Sequence, residues 1–150
     1  MTWLTTLFLL MFLQTPPAAQ IVTVGLENGD TVTIENPQFT GFIESSFGAA
    51  VLMYRKKDLH GQLPLSNISR IDFGRYKRGE PFALEVTLRS GQKIEVVTEH
   101  RNFLMVRGKT DIGTVIIKYP DPISAPLKLS TRRADRKNDL TIQYLEFPTP

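Results

Sequence analysis

The sequence contains no cysteine among its 150 residues. This absence excludes a disulfide-stabilised scaffold, a thiol enzyme and a cysteine-ligated metal site. Only two histidines, His60 and His100, are present. A three-histidine zinc site is therefore excluded, and a site of two histidines and one carboxylate would require both. Because each histidine lies in a turn-like context, we expect solvated turn residues, no metal and no cofactor.

Motifs that carry catalysis are also missing. There is no phosphate-cradling P-loop, no dinucleotide-binding glycine fingerprint and no Gly-x-Ser-x-Gly nucleophile elbow. The nearest serine-rich stretch, residues 45–48, is typical of a loop, and the carboxylates are scattered along the chain. We therefore expect no catalytic residues. The alternative is a small hydrolase or carbohydrate-acting enzyme whose site is assembled from scattered residues.

Charge of either sign is not in large excess. The chain has 18 Lys and Arg against 15 Asp and Glu, a net charge of +3, with 41% hydrophobic residues. A globular chain of this size buries roughly two-thirds of its unfolded surface. The composition argues against disorder and predicts an independently folding protein.

The N-terminus carries the longest apolar run, an uncharged stretch of eleven residues at 3–13. A transmembrane helix needs about 20 residues, so this run is too short to span a bilayer and is typical of a signal peptide. Prolines and small residues follow, which predicts a signal peptide over 1–19 with cleavage after Ala19. Because no Lys or Arg precedes the run, an uncleaved inner-membrane anchor is the alternative. We expect a periplasmic or secreted protein with no transmembrane span after cleavage, and not a lipoprotein, since no cysteine follows the run.

Two segments show period-two alternation around a glycine turn. Val22, Val24 and Leu26 alternate with polar residues or glycine before Asn28-Gly29, and Val32 and Ile34 alternate after it. The pattern predicts a β-hairpin. It recurs 62 residues later, where Leu84, Val86 and Leu88 precede Ser90-Gly91, and Ile94 and Val96 follow. We expect these ten aliphatic side chains to point into the core.

A second internal match has an offset of 52 residues. Residues 51–55 match 103–107, Lys57 matches Lys109, and Gly61 matches Gly113. The offsets differ by ten residues, which predicts an insertion within 35–50 of the first copy. We therefore predict an all-β fold of two related small antiparallel units, barrel-like or sandwich-like, that arose by internal duplication. Chance similarity between β-meanders is the alternative.

The corresponding organisation is a first β unit over 20–73, a linker over 74–81, a second β unit over 82–124, and C-terminal strands and tail over 125–150. Within the tail we expect a short strand at Leu127 and Leu129 and a last strand over 140–147. Helical spacing after Ser45 competes with a strand at 51–55. The matching segment at 103–106 is too short for a helix, so we favour the strand.

The stretches LPLSNISRIDFG at 63–74, GKTDIGT at 108–114 and DLTIQYLEF at 139–147 resemble uncharacterised exported bacterial β-repeat proteins. The unit V-x-L-x-x-G, followed by G-x-x-x-L and I-S, is similar to the small SH3-like or Sm-like barrels. This resemblance implies a fold and brings no activity with it.

Basic residues concentrate in predicted turns. Arg55, Lys56 and Lys57 occupy a position in the repeat equivalent to Arg107 and Lys109, and Tyr76 lies in a further basic segment at 75–78; a fourth cluster lies at 132–137. Turns after corresponding strands share one end of a barrel, so Arg55, Lys56, Lys57, Arg107 and Lys109 are expected to form one basic rim, with Tyr54 or Tyr76 beside it. Charged turns that serve only solubility are the alternative.

The predicted export limits which anionic partners such a rim would meet. An exported protein rarely meets nucleic acid, and a nucleic-acid-binding small barrel would require that the N-terminus not direct export. We therefore expect a non-catalytic interaction or structural module of the bacterial cell envelope. Its partner would be an envelope protein or an anionic envelope polymer or lipid.

Overall fold

The computed structural model describes residues 20–46, 49–74, 80–98, 104–119 and 142–149. These residues form eleven β-strands and one turn of 3-10 helix, Leu65–Asn67. The strands are β1 (Ile21–Leu26), β2 (Thr31–Thr40), β3 (Ile43–Ser46), β4 (Ala49–Lys56), β5 (Leu59–Pro64), β6 (Ile68–Phe73), β7 (Ala83–Leu88), β8 (Lys93–Thr98), β9 (Leu104–Thr110), β10 (Gly113–Tyr119) and β11 (Ile142–Glu146). The all-β prediction is confirmed.

The strands belong to a single antiparallel sheet that curls into a half-barrel. Its order is β10-β9-β2-β1-β11-β6-β7-β8-β4-β3, and β5 pairs with the other edge of β4. The predicted 74–81 linker joins β6 to β7, which are antiparallel neighbours: Phe73 pairs with Leu84, and the Gly74 N–H donates to the Ala83 carbonyl at 2.8 Å. Strands from both predicted units therefore contribute to one sheet.

The two predicted hairpins form, with matching turns. In β1–β2 the Leu26 N–H donates to the Asp30 carbonyl at 2.9 Å, and in β7–β8 the Leu88 N–H donates to the Gln92 carbonyl at 2.8 Å. The turns contain Gly29 and Gly91, whose φ angles of 91° and 87° favour glycine. The correspondence follows the 62-residue offset, while duplication itself stays a prediction.

Each predicted hairpin pairs with a hairpin from the other sequence unit. β1–β2 of the first sequence unit pairs with β9–β10 of the second, and β7–β8 of the second pairs with β4–β5 of the first. β11 and β6 lie between these four-strand groups and pair with each other. The last strand that the sequence predicts therefore occupies the middle of the sheet.

The alternating aliphatic residues form the core. Of the ten predicted inward positions, seven are buried and three are half-buried against the same cluster. Phe42, at the bend between β2 and β3, is fully buried and has ring centroids of Phe73 and Phe82 at 6.1 and 5.6 Å. Tyr119 at the end of β10 packs on the same two rings. This aromatic cluster closes the curl, because β10 and β6 lie five places apart in the sheet order.

The segment with competing helical spacing is extended. β4 spans Ala49–Lys56 and pairs with β3, β5 and β8, so the strand prediction is confirmed there. The range 35–50, within which the ten-residue insertion is predicted, contains the end of β2, all of β3 and the start of β4. The predicted signal peptide and the Leu127 and Leu129 strand lie outside the described residues.

Candidate functional site

An open groove of about 900 Å³ lies over β4, β8, β7 and the end of β6. Period-two alternation creates its lining. On β7 and β8, Leu84, Val86 and Val96 are buried, so Glu85, Glu95 and their same-face neighbours face outward. Arg55, Lys56 and Lys57 contribute the β4 side of the groove.

Three carboxylates cross the groove in a row. Asp72 on β6 pairs in register with Glu85 on β7, and Glu85 pairs with Glu95 on β8. Like charges directly opposite each other destabilise a sheet. Two of these carboxylates have cationic partners. Arg70 donates from Nε and Nη2 to Asp72 at 2.8 to 2.9 Å, and Lys93 Nζ lies 2.7 Å from Glu85 Oε1.

These ion pairs also raise the pKa values of the two cations. The hydrogen bond to Asp72 raises the pKa of Arg70, and the hydrogen bond to Glu85 raises the pKa of Lys93. The Arg70 guanidinium additionally stacks 3.8 Å from the ring centroid of Tyr144 on β11. The carboxylates in the groove are thus largely engaged in holding the sheet face together.

The cations at the end of β4 and in the following turn differ from Arg70 and Lys93. Arg55 and Lys56 end the strand, Lys57 begins the turn that leads to β5, and all three are exposed. Within the described ranges none of the three forms an ion pair. Because Arg55 pairs with Val97 on β8, their charge faces the groove from one end. This cluster, Arg55–Lys57, is the basic end of the groove.

The other predicted basic residues lie elsewhere. Arg107 and Lys109 are exposed on β9, within the strand and not in a turn as predicted. The reason is register: the β9–β10 turn is at 111–112, two residues later than the 52-residue offset from the 57–58 turn implies. Tyr76 lies outside the described residues, as do the 132–137 cluster and His100.

The sheet order does not bring the two basic groups together. Six strands, β2, β1, β11, β6, β7 and β8, lie between β9 and β4. Every pairing along that path is antiparallel. Neither Arg107 nor Lys109 lines the groove. Of the residues predicted to form the basic rim, Arg55, Lys56 and Lys57 line the groove.

His60 is exposed on β5, opposite Arg55. In the part of the chain that the structure describes, no three His, Asp or Glu side chains are grouped so as to hold a metal ion. Likewise, no helix in these ranges has the length and apolarity needed to cross a bilayer.

Sequence reasoning missed the carboxylate row. The pairing of Glu85 with Glu95 across the hairpin follows from the period-two alternation and the Ser90-Gly91 turn. It could therefore have been predicted from the sequence. The addition of Asp72 depends on the β6–β7 register, which passes through a bulge between Ile68 and Arg70 and has no local signal.

Comparisons of the chain with known proteins identify no similar protein. The chain matches no protein-family model, no curated protein and no solved structure.

Proposed function

We propose that the protein is a non-catalytic, exported interaction module of the bacterial cell envelope, which contacts anionic envelope components through its basic residues. The observation that carries the proposal is the basic end of the groove: three exposed cations that form no ion pair with any described residue. Lys93, which also lines the groove, is paired with Glu85. Cations without partners remain available to an external anion.

Each such electrostatic contact is weak alone, but several adjacent contacts together strengthen binding. Each Lys or Arg near an anionic surface contributes about 1 kcal/mol, and the contribution declines as salt shortens the Debye length. Three adjacent cations on one hairpin add their fields over a small area. Arg107 and Lys109 on β9, and Tyr76 in the 75–78 segment, would be secondary contacts because the pairing order separates β9 from the groove.

Export is the second part of the proposal, and it rests on the apolar run at 3–13 and the Pro-Pro-Ala-Ala that follows it. We expect cleavage after Ala19. N-terminal sequencing or intact mass of the native protein measures this. An unprocessed chain recovered from the soluble cytoplasm would contradict export, whereas an unprocessed chain in the membrane fraction would indicate the anchored form.

The enzyme alternative would use the carboxylate row. Its two members with ion-pair partners, Asp72 and Glu85, are held by Arg70 and Lys93 in an open groove, which suits a stabilised sheet face better than a reaction centre. If the groove were catalytic, Glu95→Gln would abolish turnover of a glycan substrate. Our proposal expects no turnover by either protein.

The test of the module is an association measurement with probes of defined charge. The mature protein is mixed with anionic vesicles, neutral vesicles and a soluble polyanion at low and high salt, beside an Arg55/Lys57/Arg107/Lys109→Gln variant. We expect salt-sensitive binding to the anionic probes that the variant loses by at least roughly tenfold. Equal binding by both proteins, or no binding to any anionic probe, contradicts the proposal.

A further inference from the structure

The turn between β4 and β5 differs from the other described hairpin turns in its backbone. The hairpins β1–β2, β7–β8 and β9–β10 each place a glycine at positive φ, namely Gly29 at 91°, Gly91 at 87° and Gly113 at 119°. In β4–β5 the residue with positive φ is Lys57, at 55°. Side chains other than Asn, Asp and Gly rarely occupy this left-handed region.

A lysine at this position is a poor choice for folding alone. Glycine would adopt a positive φ angle without steric cost, and the other three hairpins each have a glycine at positive φ. Strained residues of this kind persist at binding sites, where the side chain is needed in a defined place. The backbone of Lys57 therefore marks the turn independently of its charge.

The surroundings of Lys57 hold the turn in place and expose an aliphatic side chain. Tyr54 pairs with Gly61 on β5, and its ring covers the glycine so closely that an added Cβ would lie 2.6 Å from a ring carbon. Between these residues and the tip, Lys56 pairs with Leu59. Leu59 is 73% exposed, although its side chain is fully apolar.

We infer that this tip, residues 55–59, docks on the surface of an anionic phospholipid bilayer. The inference rests on the proposed function and specifies its partner. The three cations meet the phosphodiester headgroups, and Leu59 enters the boundary between headgroups and acyl chains. A soluble phosphodiester polymer offers the same anions but no apolar layer, so it would leave Leu59 in water. The exposed leucine beside the cations therefore selects the bilayer.

The chain provides a matched control in the β9–β10 hairpin. Ile112 in the β9–β10 turn is 86% exposed and has Lys109 and Asp111 nearby in sequence, as Leu59 has Lys57 and Asp58. Its hairpin has a glycine, Gly113 at the start of β10, at positive φ.

The experiment measures co-sedimentation of the mature protein with vesicles of equimolar phosphatidylglycerol and phosphatidylcholine, and with phosphatidylcholine vesicles. Binding to soluble poly(glycerol phosphate) is measured in parallel by gel shift. For Leu59→Ser we expect roughly fivefold weaker binding to anionic vesicles and unchanged binding to the polymer. For Ile112→Ser we expect both to remain unchanged.

Lys57→Gly separates binding from folding. It removes one cation and relieves the left-handed strain, so we expect roughly fivefold weaker binding to anionic vesicles with a Tm that is unchanged or up to about 4 °C higher. A lowered Tm would show that the lysine is there for folding and would overturn the strain argument.

The outcomes distinguish the inference from the proposal beneath it. If the wild-type protein binds vesicles and polymer equally and Leu59→Ser changes neither, the bilayer is wrong and the anion-binding module stands. If Ile112→Ser weakens vesicle binding as much as Leu59→Ser, the assignment to the β4–β5 tip is wrong. If the wild-type protein binds neither probe at low salt, both are wrong.

Discussion

Truncation of Leu145 to alanine tests whether β11 is the central strand of the sheet. Leu145 is fully buried and pairs with Val24 on one side and Ile71 on the other, both also fully buried. Loss of three buried carbons costs about 2.4 kcal/mol in transfer free energy at roughly 0.8 kcal/mol each. The cavity left between two rigid strands raises the total to about 3–4 kcal/mol.

Leu59→Ala removes the same atoms from a side chain that is 73% exposed, and so controls for everything except burial. We expect it to change the free energy of unfolding by less than about 0.5 kcal/mol. Urea denaturation followed by far-UV circular dichroism measures both variants, with the slope of the transition checked for constancy. A loss below about 1 kcal/mol for Leu145→Ala, or equal losses for the two, would refute the central placement of β11.

Three further predictions follow from described contacts. Gly25→Ala should destabilise the fold by about 1–3 kcal/mol in urea titration, because its new methyl group would overlap the ring of Tyr144; a neutral result would show that the ring moves freely. The pair of Lys93 with Glu85 raises the lysine pKa above 10.5, so its stabilising effect should be present at neutral pH and be lost as pH rises through that raised value. A Lys93→Met variant should therefore differ from wild type at neutral pH and match it in strong alkali, and a constant difference would contradict this. His60→Ala should fold normally with unchanged binding, since the side chain is exposed on β5; loss of a bound metal on this substitution would overturn the expectation.

Local patterns were sufficient to predict the hairpins. Alternation around Gly29 and Gly91 specifies both the turn and the inward face, because neighbouring strands joined by a tight turn have only one register that buries all aliphatic residues. The same reasoning predicted the last strand, now β11, from its alternating Ile142 and Tyr144.

Pairings between strands that are distant in the chain could not be predicted from the sequence patterns. Nothing in residues 142–146 indicates that they insert between β1 and β6, and nothing in β9 indicates that it pairs with β2. Any exposed strand edge with a suitable apolar face offers the same hydrogen bonds, so the choice is made by the whole core. A single basic rim was predicted because turns after corresponding strands were expected to share one end of a barrel.

The candidate site was predicted in part for the same reason. The charge of Arg55, Lys56 and Lys57 is visible in the sequence, whereas the groove beside them requires β4 to pair with β8. The positive φ of Lys57 had no sequence signal, since a Lys-Asp pair is not a preferred hairpin turn.

The central position of β11 makes the order of synthesis matter. Thr23 pairs with Glu146, so residues separated by 123 positions (146 − 23) must meet before the middle of the sheet exists. A growing polypeptide therefore carries two open strand edges, on β1 and β6, until its final strand has left the ribosome. A product clipped before β11 should accordingly self-associate through those open edges and not survive as a smaller folded protein.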